Sequence, residues 1–299
     1  MSETNKSLEK AFPKIRKSID RSRQEIFTRS QLEELIGVNR DDWNLSKRGI
    51  STGRVIEYLW GKGQLKEYKF EFPSRKETRY TLGDISAFDL AQSLKPNAYL
   101  AHRAAIFLNN LIVVPPATIY INVEQSKHHT RNRGDLTQAG IDRAFKNKSR
   151  VSNEIAECNG VKVCVVHGQR TDRLGVIEIK GPNNERLQVT DAERTLVDIS
   201  VRPVYAGGVK EVLKAYRQAK ELVSIEKLME TLRQMDYVYP YHQVIGFYLE
   251  NAGVYRKDEI KLLAEMPMKF DFYIDYKMTE TKYSKKWRLH FPKHLLDLD

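Results

Sequence analysis

The stretch STGRVIEYLWGKGQLKEYKF, residues 51–70, changes from a helical pattern to a strand pattern within its own length. In the first half, apolar residues recur at spacings of three and four, as on one buried face of a helix. Those residues are Val55, Ile56, Leu59 and Trp60. Gly61 and Gly63 follow, where a helix is expected to end. From Leu65 the period becomes two, which predicts a β-strand with alternating aromatic and charged side chains.

The residues around this stretch extend the pattern in both directions. Residues 4–20 have the apolar spacing of a helix, and a second helix is expected to begin at Thr28 or Ser30 and to end at Gly37. Ser51 or Thr52 is expected to cap the third helix. After the strand, the turn PSRK precedes a second alternating segment that runs to Leu82. Three helices followed by a basic hairpin are typical of a winged helix-turn-helix domain, which we predict over residues 1–83.

The remaining residues, 84–299, alternate helical and strand patterns without an internal repeat. Apolar strands such as ATIYINV and VKVCVVH are interspersed with helical segments such as VKEVLKAYRQAKEL. The sequence therefore predicts an α+β protein, in which an N-terminal winged helix-turn-helix domain is followed by a larger mixed α/β domain. The boundary is expected near residues 83–86.

Composition limits the possible functions. The chain has 299 residues, 41% of them hydrophobic and 30% charged, which is typical of globular proteins with a sizeable core. No apolar run is long enough to cross a bilayer, and residues 1–18 lack an apolar signal core, so a cytoplasmic protein without membrane contact is expected. Asn159 and Gly160 predict a hairpin turn that places Cys158 opposite Val161, so Cys158 and Cys164 are expected to be reduced thiols.

The net charge of +11 is concentrated near the N-terminus. Residues 1–82 contain 18 basic and 12 acidic residues, a net charge of +6. About half of the excess positive charge thus lies in little more than a quarter of the chain. This asymmetry indicates a polyanionic partner, with nucleic acid as the first candidate and an anionic membrane surface as the second.

Specific DNA contacts follow from the predicted winged helix. The N-terminal end of the third helix would lie against base edges in the major groove, and an arginine there can donate two hydrogen bonds to guanine. The predicted base-reading residues are Ser51, Thr52 and Arg54. Basic residues before this helix and on the hairpin suit phosphate contacts. They are Lys47, Arg48, Lys69, Arg75, Lys76 and Arg79. A domain of this kind that docks only on proteins is the alternative.

Two charged segments could be mistaken for catalytic sites. In VTDAERTLVDIS, residues 189–200, Thr190 and Glu193 have the spacing of a capping box, and Arg194 with Asp198 forms an i,i+4 pair, so a structural role is favoured. In TDRLGVIEIK, residues 171–180, an acidic pair with a lysine resembles the residues of metal-dependent nucleases. The residues of that alternative are Asp172, Glu178 and Lys180.

Two further segments could bind phosphate. The segment 126–134 offers basic and histidine donors for a secondary nucleic-acid contact, with a solvated loop as the alternative. Those donors are Lys127, His128, Arg131 and Arg133. Gly207 and Gly208 precede a helix, but without a complete phosphate-binding motif an ordinary turn is favoured. Apart from the nuclease alternative, no spacing predicts a metal site, a cofactor or an enzymatic activity.

Five motifs occur in the order in which they are found in a known family. They are YLAHRAAIFLNNL, IYINV, VTDAERTLVDI, RPVYAGGVKEV and YHQVIGFYLENAG. In this order they resemble the AbiEi family of bacterial antitoxins, also described as predicted regulators of viral defence systems. The resemblance runs from about residue 84 to about residue 255. Its most specific part is ERTLVD followed by RPVYAGG.

The resemblance implies a winged helix-turn-helix domain joined to an antitoxin domain. It also implies a type IV toxin–antitoxin system that acts in abortive infection. The antitoxin would repress its own operon on double-stranded operator DNA and counteract a nucleotidyltransferase toxin without a stable complex. Two alternatives stay open at this point: a nuclease tethered by the winged domain, and a transcription regulator without a toxin partner.

Overall fold

A computed structural model describes residues 3–22, 24–46, 49–126 and 135–297. The chain is of the α+β class, as the sequence predicted, and it divides into two compact units. The first contains the residues up to Pro96 together with Ile155–Lys162, and the second contains Asn97–Glu154 and Val163–Asp299. The described helices include none with the length and apolar character needed to cross a membrane.

The first unit contains a three-helix segment followed by a hairpin, in the order predicted. Its helices are α1 (Glu3–Ser22), α2 (Arg29–Asn39), α3 (Thr52–Gly61) and α4 (Ala87–Ser93). Its strands are β1 (Ile26–Phe27), β2 (Leu65–Phe72), β3 (Arg75–Leu82) and β6 (Ile155–Cys158). The first three strands form an antiparallel sheet in the order β1-β3-β2, in which β1 is a short addition to the predicted hairpin.

Local capping explains where α2 and α3 begin. Thr28 and Gln31 form a reciprocal capping box at α2, and the Ser51 hydroxyl accepts the Arg54 backbone N–H at α3. The prediction that Gly37 ends α2 was wrong. The helix continues through Gly37 to Asn39, because a glycine in the last turn of a helix costs only about 1 kcal/mol and Ile36 is already buried.

The core of the first unit contains more than the predicted helix faces. Trp43 and Leu45 are buried although they lie in a segment that is otherwise polar, and they fill the space between the helices. The prediction that Trp60 belongs to this core was wrong, because 63% of its surface is exposed. Val55 and Leu59 already direct α3 inward, which leaves Trp60 on the outer edge of the helix.

The second unit has a mixed sheet, a helical layer and a small C-terminal sheet. Its strands are β4 (Tyr99–Leu100), β5 (Ile119–Glu124), β7 (Val161–Gly168), β8 (Val176–Lys180), β9 (Arg186–Thr190), β10 (Phe272–Tyr273), β11 (Thr281–Ser284) and β12 (Leu289–Pro292). Its α-helices are α5 (His102–Leu108), α6 (Gln138–Lys146), α7 (Ala192–Val201), α8 (Val209–Gln218), α9 (Ile225–Gln234), α10 (Tyr241–Ala252) and α11 (Lys257–Ala264). A 3-10 helix spans Pro203–Ala206.

Strands of the second unit lie in the order β7-β5-β4-β9-β8, and α7 packs against α5, α8, α9 and α10. Every residue of α7 after Ala192 is buried, which requires each of its charges to find a partner. The C-terminal sheet, in the order β10-β12-β11, is attached to α10 by two buried side chains. Trp287 packs directly on Gly246, and the Gln243 amide donates to the Trp287 carbonyl at 2.7 Å.

The turn between β6 and β7 has the backbone that its sequence predicted. Asn159 has φ 50° and Gly160 has φ 77°, the left-handed conformations that a two-residue hairpin turn requires. Cys158 and Cys164 are not joined by a disulfide.

Candidate functional site

The N-terminal end of α3 carries the residues predicted to read bases, and each has an intramolecular partner. Thr52 Oγ1 accepts a hydrogen bond from the Arg40 guanidinium at 2.8 Å. The Arg54 guanidinium donates to Glu57 at 3.0 Å and to Asn5 of α1 at 3.1 Å. Arg54 is exposed, so its side chain can leave these partners for a ligand without opening the core.

The two hairpin lysines predicted to contact phosphate are accessible to solvent. Lys69 and Lys76 are both exposed and lie on opposite strands of the hairpin. Lys69 pairs with Glu67 at 2.7 Å, and Lys76 pairs with Glu71 at 2.7 Å. Such exposed pairs contribute little to stability, so the lysines can exchange a carboxylate for a phosphate at low cost.

The two arginines of the hairpin are less accessible than predicted. Arg79 is only 6% exposed, and its guanidinium donates to the backbone carbonyls of Ser93 and Thr78. Arg75 is half-buried and stacks on the Phe72 ring, with its guanidinium carbon 4.4 Å from the ring centroid. The assignment of Arg79 to a phosphate contact is therefore incompatible with this geometry, because contact with DNA would require its burial to be undone.

Six predicted contacts lie outside the residues that the structure describes. They are Lys47, Arg48, Lys127, His128, Arg131 and Arg133. Their roles stay predictions.

A row of cations on α1 escaped the sequence analysis. Five basic residues follow one another at spacings of four, four, three and four, which places them along one face of the helix. They are Lys6, Lys10, Lys14, Lys17 and Arg21, and all are exposed. The opposite face, with Leu8 and Ile15, is buried in the core. The sequence contains this spacing, but the helix prediction rested on the apolar residues of the other face. We call these five residues the α1 basic row.

The second unit contains a buried polar centre on α7. Arg194 and Asp198 form the predicted i,i+4 pair at 2.8 Å, with only 4% and 8% of their side chains exposed. Arg194 also donates to the Leu174 carbonyl at 2.7 Å. Burial alone would lower the pKa of Arg194, but the nearby Asp198 and Tyr99 raise it above its ordinary value. The arginine is therefore permanently charged and held in one geometry.

The predicted capping box at the start of α7 was wrong by one residue. Asp191 caps the helix by accepting the Arg194 backbone N–H at 2.8 Å, while the Thr190 hydroxyl pairs with Thr195 inside the unit. The Glu193 carboxylate reaches instead to α9, where it accepts from the Ser224 backbone N–H and from Lys227. Because the Glu193 carboxylate binds these residues of α9, it is not available to form the predicted capping box with Thr190.

Near this pair, two polar side chains of β5 are held by hydrogen bonds. Glu124 accepts from the Thr171 hydroxyl at 2.5 Å and from the Arg173 backbone N–H at 3.0 Å. Burial would raise the pKa of Glu124, but these bonds lower it below its ordinary value. Asn122 donates to the Tyr99 hydroxyl at 2.6 Å, and burial raises the pKa of Tyr99 to about 12.

His102 begins α5 at the edge of this centre and is only 6% exposed. Burial lowers its pKa to about 4, below the value of about 6.5 for an unfolded chain. Between these pH values the unfolded state binds a proton that the folded state excludes. The stabilising effect of keeping His102 neutral is therefore complete above about pH 6.5 and is lost as the pH falls to about 4.

We expect this difference to appear in a His102→Asn variant, since Asn tolerates the φ of 52° at this position. From pH 6.5 to pH 4, the free energy of unfolding of the wild-type protein should fall by about 3 kcal/mol more than that of the variant. Urea titrations at a series of pH values measure both. If the free energies of unfolding of the two proteins fall in parallel with pH, burial does not lower the pKa of His102.

The two acidic residues of the nuclease alternative are paired with different neighbours. Asp172 is exposed and pairs with Arg170 at 2.7 Å, and Glu178 accepts from Gln188 at 3.2 Å on β8. Lys180 is exposed at the end of the same strand. Within the described ranges, no group of three His, Cys, Asp or Glu side chains is arranged to hold a metal ion.

Comparison with known proteins bears on the fold. No protein-family model and no curated protein matches the chain. Among solved structures, the chain is similar to the RV2827C protein from Mycobacterium tuberculosis, with a TM-score of 0.57 and 15% sequence identity. The similarity covers 90% of this chain and 87% of that one. At this identity, the two proteins share a fold, and nothing beyond the fold follows from the likeness.

Proposed function

We propose that the protein is a DNA-binding regulator whose first unit acts as a winged helix-turn-helix domain. The observation that carries the proposal is the position of α3, which begins at an exposed, Ser51-capped end and is followed directly by a hairpin on which Lys69 and Lys76 are exposed. In winged helix-turn-helix proteins these elements enter the major groove and contact the backbone, respectively.

Each proposed contact is tied to an accessible side chain. Arg54 is the proposed base-reading residue, and Lys69 and Lys76 are the proposed phosphate contacts. Arg79 is left out because it is buried. The α1 basic row adds five exposed cations to the same unit and strengthens its attraction to a polyanion.

For the whole protein, we propose an antitoxin and autorepressor of the AbiEi type. The ordered motifs from YLAHRAAIFLNNL to YHQVIGFYLENAG support this assignment, together with the proposed DNA-binding unit. Co-expression with a nucleotidyltransferase encoded beside its gene tests the antitoxin role. Restored growth supports it, and growth arrest in the presence of this protein would leave a regulator without a toxin partner as the better description.

The salt dependence of DNA binding tests the proposed hairpin contacts. On a fragment of its own promoter, the double variant Lys69→Gln/Lys76→Gln should show a shallower dependence of log affinity on log salt, by about two units. Fluorescence anisotropy at several salt concentrations measures the slope. The double variant Lys282→Gln/Lys285→Gln removes two exposed lysines from the second unit and serves as the control. If the slope of log affinity against log salt is equal in the two double variants, the hairpin lysines do not contact the DNA.

Arg54→Ala tests the assignment of base reading. If Arg54 donates to a base, the variant should lose about 1–3 kcal/mol of binding free energy on the promoter fragment and less on random DNA of the same length. The same anisotropy titration, performed on both DNAs, measures the difference. An equal loss on both would make Arg54 a phosphate contact without sequence information.

A further inference from the structure

The second unit contains a cavity of about 520 Å³ that the DNA-binding proposal does not use. It lies beside the buried Arg194–Asp198 pair, between the start of α5, the end of β7 and the 3-10 helix. Its wall is mostly polar and carries three arginines: Arg150, Arg194 and Arg202. Cavities of this volume are typical of sites for small molecules.

Two of these arginines have charge available for a ligand. Arg194 is neutralised by Asp198, which lies 2.8 Å away. For the side chains of Arg150 and Arg202, in contrast, the described residues supply neither a hydrogen bond nor an ion pair. Three arginines against two carboxylates, Asp198 and Glu154, give the wall a net charge of about +1, which favours an anionic ligand group.

A buried histidine supplies the second, independent observation. His102 lines the cavity and is only 6% exposed, and its Nδ1 atom has no hydrogen-bond partner. Its φ of 52° shows that the backbone holds a conformation that is uncommon for a non-glycine residue. Buried polar atoms are nearly always satisfied, and strained residues cluster at binding sites, so an unpaired, strained histidine beside a cavity is typical of a functional site.

We propose that this cavity binds a small phosphate monoester of about the size of a nucleoside monophosphate. Arg150 and Arg202 hold the phosphate, because two guanidinium groups match the charge and the hydrogen-bonding geometry of that group. The His102 side chain packs against the body of the ligand. Ser152, Asn153 and Gln125 line the remaining wall with polar groups, which fits a sugar or base better than an aliphatic chain. This binding activity is additional to the proposed DNA binding.

Isothermal titration of the full chain with AMP, GMP, CMP and UMP tests the proposal, with inorganic phosphate as a further probe. At least one nucleotide is expected to bind with a stoichiometry of one, and more tightly than inorganic phosphate. Arg202→Gln is expected to weaken binding by at least about tenfold, the usual effect of losing a hydrogen bond to a charged group. The control Arg186→Gln removes an equally charged, exposed residue of the second unit that does not line the cavity. Its affinity should equal that of the wild-type protein.

Three results would overturn the proposal. One is the absence of binding by all four nucleotides at millimolar concentration, and another is equal affinity of the Arg202→Gln and Arg186→Gln variants. The third is binding of a 5′-phosphorylated oligonucleotide without binding of any mononucleotide, which would assign the cavity to a nucleic-acid end. If Arg202→Gln does not fold, Arg150→Gln replaces it, because Arg150 lines the cavity, is exposed and is not part of the core.

Discussion

Arg194→Met is expected to lower the free energy of unfolding by about 3–5 kcal/mol, because it leaves Asp198 as an uncompensated charge in the interior. The two side chains are 4% and 8% exposed, so water cannot replace the lost partner. The substitution also leaves the Leu174 carbonyl without the hydrogen bond that Arg194 donates. Methionine keeps much of the length of the arginine side chain, so the loss reports the charge more than a cavity.

Urea denaturation of the variant and the wild-type protein measures this loss. Arg233→Met on α9 is the matched control, since it breaks an exposed pair with Glu230 and should change the free energy of unfolding by less than about 1 kcal/mol. Adding Asp198→Leu to Arg194→Met should recover part of the loss, because the double variant removes both charges. A double variant less stable than Arg194→Met would show that Asp198 has stabilising partners besides Arg194.

Gly246→Ala is expected to destabilise the second unit by about 3 kcal/mol, at the upper end for overpacked cores. A Cβ at this position would lie 2.1 Å from a ring atom of Trp287, which is fully buried. The indole cannot move aside easily. The backbone carbonyl of Trp287 accepts a hydrogen bond from the Gln243 amide, and the indole Nε1 donates to Glu250. Accommodation of the methyl group therefore displaces the C-terminal sheet from α10.

The same substitution at Gly37 should raise the free energy of unfolding instead of lowering it. Gly37 lies in α2, and a Cβ there would meet no atom within 4 Å. Alanine favours a helix over glycine, so Gly37→Ala should stabilise the first unit by about 0.5–1 kcal/mol. Thermal and urea denaturation of both variants measure the contrast. If Gly246→Ala is as stable as the wild-type protein, Trp287 is not packed tightly on α10.

The elements of the first unit could be predicted because their signals are local. Thr28 and Ser51 cap helices through atoms three residues away, and the alternating segment after Leu65 is a hairpin whichever side faces the core. Gly37 and Trp60 were misassigned for a different reason. Whether a helix passes a glycine, and how wide its buried face is, depends on the neighbouring helices, which spacing within one segment does not reveal.

The candidate sites depend more on contacts between distant residues. Alternation in β3 cannot show that Arg79 meets the Ser93 carbonyl, because Ser93 belongs to α4. The Arg194–Asp198 pair was visible as an i,i+4 spacing, but its burial was not. The cavity could not be predicted from the sequence, since His102 and Arg202 lie a hundred residues apart and come together only in the fold.

The distribution of tryptophans makes each part of the molecule separately visible to spectroscopy. The chain has three: Trp43 in the core of the first unit, Trp287 in that of the second, and Trp60 on the outer edge of α3. Trp60 should emit at longer wavelength than the other two and be the one that iodide quenches. Single-tryptophan variants would then follow the melting of each unit through its own residue, while Trp60 reports the arrival of a ligand at α3.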